Sequence, residues 1–288
     1  MLDLRARRVW LKMTGFGLLV ALSASTAPTV RAQQPAVQPE QGSVPAPQSD
    51  SQTPSAGTTG PTPATQEATW HTLPKRFLKD QKEIWLFPVH VAEGRHWLPT
   101  ALVVGGTAGL IAADPQIEPH LRETTVFHGF NHTVTSTVSG GLIAVVPTAF
   151  YAASLIRKDS YAQSTALMAG EAVVDDTVIM VVLKSITQRL RPTDIPPNGS
   201  YADSFFQSHR SPIGKGTSFP SGHAMMGFSV ATVFAHRYRQ HKWVPYLAYG
   251  LASVISFSRI TNQAHFASDV LFGAATGFAI ARFDVLRH

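Results

Sequence analysis

From residue 97 onward the chain is a succession of six apolar segments of helical length, at 97–113, 130–156, 163–188, 221–239, 243–258 and 266–284. Nothing else in the sequence restricts the fold so strongly. Each segment far exceeds an ordinary strand, and none alternates apolar with polar residues as a half-buried strand does. No Asp-Gly pair marks a hairpin. Small residues recur within the segments, as in VVGGTAGLIAA, VSGGLIAVV and FGAATGFAIA. That spacing lets helices approach closely, in a membrane or in a tight bundle. The expectation is an all-α protein built as a six-helix bundle.

Upstream the composition changes twice. Residues 1–32 carry Arg5, Arg7, Arg8 and Lys12, then the apolar run MTGFGLLVALSA, then Val30 and Ala32 at the spacing of a signal peptidase site. This reads as an export signal, or as a signal anchor if it is not cleaved. Residues 33–68 are dominated by Gln, Pro, Ser, Thr and Gly, too poor in large apolar groups to offset the entropy of ordering, and read as a disordered tether. Residues 69–94, with RFLKDQKEIW, read as an amphipathic lead-in, and residues 95–288 as the functional domain.

Only 15% of residues are charged, below the quarter or so usual for a soluble globule, which leaves room for lipid contact. The net charge of +6 calls for an anionic partner: nucleic acid, anionic lipid or a phosphorylated substrate. The basic residues do not interleave with aromatics along one face, which argues against nucleic acid. With no cysteine in the chain, disulfides, thiolate nucleophiles and cysteine-based zinc sites are excluded.

Three short stretches carry the chemistry. In KSITQRLRP, Lys184 and Arg191 stand two helical turns apart, on one face near a helix end that Pro192 terminates. In SFPSGHAMM, Pro220, Ser221 and Gly222 form a turn into a helix whose first residues include His223. A helix start offers unpaired N–H groups to an anion. In SRITNQAHFASD, Arg259 closes one helix and His265 with Asp269 opens the next. The i, i+4 spacing lets the carboxylate accept the imidazole Nδ1–H and leave Nε2 free. Each stretch alone has a plain structural explanation: basic residues suit helix C-termini, and a serine suits an N-cap. In an antiparallel bundle, however, the end of the third helix, the start of the fourth, the end of the fifth and the start of the sixth share one end. Lys184, Arg191, Ser221, His223, Arg259, His265 and Asp269 would then converge on one pocket.

These three motifs, Lys-x6-Arg-Pro, Pro-Ser-Gly-His and Ser-Arg-x5-His-x3-Asp, resemble those of the type 2 phosphatidic acid phosphatase (PAP2) and vanadium haloperoxidase superfamily. The resemblance covers about residues 95–285 and departs at none of the motif positions. It implies a bundle with the active site at one end and a phosphohistidine intermediate. His265 is then the nucleophile, aimed by Asp269, and His223 the general acid and base. Lys184, Arg191 and Arg259, with Ser221 and the Gly222 N–H, bind the phosphoryl oxygens. No metal is expected, because the cations take its place. Vanadate is expected as an inhibitor, or as cofactor if the chain is a haloperoxidase, whose members are usually larger.

The substrate expected is a membrane lipid phosphate or lipid diphosphate, with small phosphate esters of a periplasmic acid phosphatase as the alternative. Phe205 and Phe206, between the first two motifs, are expected to anchor that loop, and His128, His132, His236 and His241 to stand apart from the site. Glu171, Asp175 and Asp176 in the third segment must face the bundle interior if it meets lipid. Loop charge at the end away from the motifs makes that end cytoplasmic, whereas an exported chain with six spans would reverse it. The two agree if the folded part lies wholly in the periplasm, if the first segment does not cross, or if the amino-terminal run stays cytoplasmic. The expectation is an exported, periplasm-facing domain associated with the membrane.

Overall fold

The structure, a computed structural model, describes residues 67–211 and 216–287. The export signal and the tether as far as residue 66 lie outside the described residues. Ala68 is already seated in the core, with its N–H donating to Ser164 Oγ at 2.9 Å. The described residues hold eight α-helices: α1 (Leu73–Ala92), α2 (Trp97–Glu123), α3 (His128–Thr133), α4 (Ser136–Arg157), α5 (Ser160–Thr187), α6 (Gly222–Arg237), α7 (Trp243–Thr261) and α8 (Ala267–Phe283). There is no strand among them. The fold class is all-α, but the six-helix count is corrected to eight.

The two additional helices have local causes. One is α1, the amphipathic lead-in. The other is α3, cut from the second apolar segment at Thr135, whose side chain accepts from the Val138 N–H at 3.2 Å and caps α4. The first apolar segment also runs further than its apolar pattern, through Pro115 and Pro119 to Glu123. A proline inside a helix removes one N–H and crowds the preceding turn, at about 3 kcal/mol. Here the added turns bury Asp114, Glu118 and Leu121 against the bundle, and that packing holds the helix together.

The long helices alternate in direction. At the end opposite the motifs, Tyr161 at the start of α5 donates its hydroxyl to the Arg237 carbonyl, and the Arg237 guanidinium stacks on the Tyr161 ring. The central contact is α6 on α8. A Cβ on Gly277 would stand 2.0 Å from the Met225 carbonyl oxygen, and one on Gly273 2.6 Å from that of Ser221, so the two helices meet backbone to backbone. The second of these places Ser221 directly against the start of α8.

The bundle buries acids beside its apolar core and exposes large apolar residues on its outside. Asp114, Glu118, Glu171, Asp175 and Asp176 are all buried, as expected for the three acids of α5. Arg76 on α1 pairs with Glu171 at 3.0 Å and donates to the Val285 carbonyl, and Gln81 donates to Asp175 at 2.8 Å. The outward faces carry Leu78 and Trp85 on α1, Leu102 on α2, Ile156 on α4 and Tyr246 on α7, the last two 85% and 82% exposed. A water-soluble bundle distributes these residues the other way round. Among the described residues, α2 and α4 are long and apolar enough to cross a membrane.

Candidate active site

The sequence-predicted residues meet at one end of the bundle, where α5 and α7 finish and α6 and α8 begin. Ser221 is the residue before α6, and its backbone N–H donates to the Asp269 carbonyl at 3.1 Å, tying the second motif to the third. Its hydroxyl does not cap the helix. That Oγ is fully buried and has no hydrogen-bond partner among the described residues. Gly222 opens α6 so closely against α5 that a Cβ would stand 2.4 Å from Met180 Sδ. His223 follows, with Nε2 at 3.2 Å from the Ser136 carbonyl oxygen. A carbonyl can only accept, so Nε2 carries a proton.

His265 lies in the turn between α7 and α8, its N–H bonded to the Arg259 carbonyl at 3.2 Å. Its Nδ1 stands 3.5 Å from Asp269 Oδ2, a long contact, and equally far from Ser218 Oγ. The carboxylate fixes Nδ1 as the protonated nitrogen and leaves Nε2 with its lone pair. Asp269 is itself heavily held. Oδ2 accepts from the Phe266 N–H at 3.0 Å and from the Ser218 hydroxyl, and Oδ1 accepts from Arg189 at 2.6 Å.

The three cations close the pocket. The buried Lys184 Nζ donates to the carbonyls of Thr217 and Ser218. Arg191 donates to Gly216 and Ala264 carbonyls, which anchors the first motif to the third. Arg259 is pinned by Ser258, Ser136, Ser139 and the Val134 carbonyl. Their fields overlap. Burial, with Arg191 beside it and Asp269 opposing, pushes the Lys184 amine down to about 7. Burial and Arg191 lower Arg259 to about 10. Burial pushes His265 down to about 3, Asp269 opposing and Lys184 and Arg191 adding to it. His223 is lowered by burial and then by Arg259, Arg191 and Lys184. Burial would raise Asp269, but Arg189, His265 and Ser218 together hold it below the usual carboxylate range. The site thus sets a neutral imidazole among buried cations that destabilise one another, a setting that a bound dianion relieves.

Sequence reasoning missed the residues that hold the motif residues in place. Arg189 lies inside the first motif, but at an unassigned position. Ser218 is three residues before Ser221. Ser136 and Ser139, at the start of α4, grip Arg259 from outside all three motifs. Asp114 reaches Arg189 from α2 at 2.7 Å. Only the RxRP arrangement of Arg189 and Arg191 offered any signal. Phe205 does anchor the loop, against Phe219 and over the Arg189 guanidinium, whereas Phe206 points outward. Among the described residues no cluster of three or more His, Asp or Glu is arranged to hold a metal ion.

The PAP2 superfamily pattern matches residues 161–286, from the start of α5 almost to the end of the chain. A lipid A 1-phosphatase of Porphyromonas gingivalis is 44% identical over 64 residues, 22% of this chain, and the match spans only 14% of that protein's length. The crystal structure of a transmembrane PAP2 type phosphatidylglycerolphosphate phosphatase from Bacillus subtilis aligns over 73% of this chain and 91% of that one, at 22% identity and a TM-score of 0.37.

Proposed function

Residues 161–286 make this chain a member of the PAP2 superfamily, and from that premise we propose that it is a membrane-associated phosphatase acting on a lipid-linked phosphate. The observation that carries the reading is the convergence of Lys184, Arg191 and Arg259 around a buried His265 whose Nδ1 faces Asp269. In the reaction, the phosphoryl oxygens lie among the three cations, the Ser221 hydroxyl and the Gly222 N–H. Nε2 of His265 attacks phosphorus in line with the departing oxygen, forming a phosphohistidine as the ester P–O bond breaks. His223 gives a proton to the alkoxide and then takes one from the water that hydrolyses the phosphohistidine, releasing inorganic phosphate. The cations neutralise charge on the transferring group.

Two observations support a lipid substrate. The outward faces of α1, α2, α4 and α7 carry exposed large apolar residues, and a relative that matches 64 residues of the chain is a lipid A 1-phosphatase. Arg157, Lys158, Arg239, Lys242 and Arg282 lie at the end opposite the site, which favours a periplasm-facing pocket.

The test uses the full chain in detergent micelles. Phosphate release is measured from phosphatidate, phosphatidylglycerol phosphate, 1-phosphorylated lipid A and p-nitrophenyl phosphate, for wild type and His265→Ala. The reading expects faster turnover of a lipid and a loss of roughly a thousandfold or more in the variant. Full activity in His265→Ala overturns the nucleophile. Turnover of p-nitrophenyl phosphate alone overturns the lipid substrate, and peroxide-dependent halide oxidation with vanadate but no phosphate release overturns the phosphatase.

A further inference from the structure

We propose that Arg189 and Asp114 are positioning residues that extend the His265–Asp269 pair into a four-member chain, so that a carboxylate on α2 sets the aim of the nucleophile. This rests on the reading of His265 as nucleophile.

The chain of contacts is continuous and dry. Arg189 Nη1 donates to Asp269 Oδ1 at 2.6 Å and Nη2 to Asp114 Oδ2 at 2.7 Å, the side chains being 1%, 0% and 0% exposed. Its remaining donors go to Ser204 at 3.0 Å and Ser268 at 2.7 Å, and Ser268 in turn donates to Asp114. The guanidinium lies over the rings of Phe266 at 3.9 Å and Phe205 at 4.4 Å. Arg189 is thus committed to Asp114 and to the oxygen of Asp269 that does not face His265.

The geometry says why that matters. Of the contacts to Asp269 Oδ2, the one to His265 Nδ1 is the longest, at 3.5 Å, against 3.0 Å for the Phe266 N–H. A small rotation of the carboxylate would break the contact to the imidazole first. Arg189 opposes that rotation by fixing the other oxygen, and Asp114 fixes Arg189. Asp114 lies outside residues 161–286, on α2 immediately before Pro115, and is buried there with Glu118.

The titratable groups facing Asp269 are Arg189, Lys184, Arg191 and His265, with Asp114 and Glu118 on the acidic side, and burial raises Glu118 to about 8, so that it is protonated through the acid range. Because His265 and Asp269 titrate as a coupled pair, removing the Arg189 cation raises the pair's affinity for a proton. The acid limb of kcat/KM should then move up by about one pH unit in Arg189→Met. Removing the Asp114 anion in Asp114→Asn moves that limb the other way, or leaves it in place at the lower edge of the accessible range. Both variants should lose about 10- to 100-fold in kcat through misalignment, with KM and the inhibition constant for inorganic phosphate within about twofold, since neither residue touches the phosphate.

The experiment measures kcat, KM, phosphate inhibition, the acid limb and thermal melting for wild type, Asp114→Asn, Arg189→Met, Arg189→Lys and His265→Ala in the full chain. The position of the acid limb does not depend on how much enzyme folds. A residual activity with the shifted limb in Arg189→Met, partly restored in Arg189→Lys, supports the proposal. So does a fall in kcat for Asp114→Asn at an unchanged melting temperature. Wild-type kcat in Asp114→Asn overturns it, as does a destabilised Asp114→Asn whose residual activity keeps the wild-type kcat per folded molecule. An inactive Arg189→Met leaves the decision to Asp114→Asn, which differs by the least change in shape. If His265→Ala keeps full activity, the nucleophile assignment has failed instead, whatever the other variants do.

Discussion

Lys184 is a cation held where water cannot solvate it. Its amine, lowered to about 7 by burial and by Arg191, is half neutral near physiological pH in the free protein. A phosphate dianion in the pocket stabilises the charged form, so binding takes up a proton once the pH exceeds the free value. Phosphate inhibition should therefore weaken as pH rises above 7, by about tenfold per unit. In Lys184→Arg, where the charge persists, it should not. The ratio of the two inhibition constants between pH 6 and 9 checks this and cancels the ionisation of phosphate itself, and a flat ratio sinks it. His265 follows the opposite requirement. It must be neutral to attack, and burial keeps it so down to about pH 3. A clamp that needs protons and a nucleophile that must lack one coexist because the first is lysine and the second is histidine, each depressed from its own starting value.

The helices bring these groups together through the α6–α8 contact. Gly277 faces the Met225 carbonyl with no space for a methyl group, whereas Gly105 on α2 has nothing within 4 Å. Gly277→Ala should force α6 and α8 apart, at about 1–3 kcal/mol or more, and carry Ser221 away from Asp269. Gly105→Ala should not lower stability, because alanine is the better helix former. Thermal melting and kcat in detergent separate the two, and an unchanged Gly277→Ala would mean the helices do not pack as closely as described. The small-residue pattern in FGAATGFAIA announced close approach but not its partner. A glycine stripe records how near a neighbour comes and carries no information about which neighbour that is.

At the scale of the whole molecule, the buried acids and exposed apolar faces support the proposed membrane association. We expect phosphatase activity to stay in the membrane pellet through an alkaline carbonate wash and to be released by detergent. Recovery in a soluble periplasmic extract would overturn that. The motif spacings were enough to place the candidate residues on the helix ends that bear them, because Lys184 to Arg191 and His265 to Asp269 are local relations governed by helical geometry. The helix count was not legible. Thr135 caps α4 inside an unbroken apolar run, and α2 outlasts Pro115 and Pro119 because tertiary packing compensates for what the local sequence disfavours. Nor could the sequence reveal what stands behind the motifs. Asp114 is 75 residues from Arg189 and 155 from Asp269 in the chain, and Ser136 is 123 from Arg259. Periodicity by itself determined an all-α fold, and the motifs named the groups proposed for the chemistry. Only the tertiary structure decided what holds Asp269 and Arg259 in place, since contacts between distant helices depend on how they pack and no spacing along the chain encodes that.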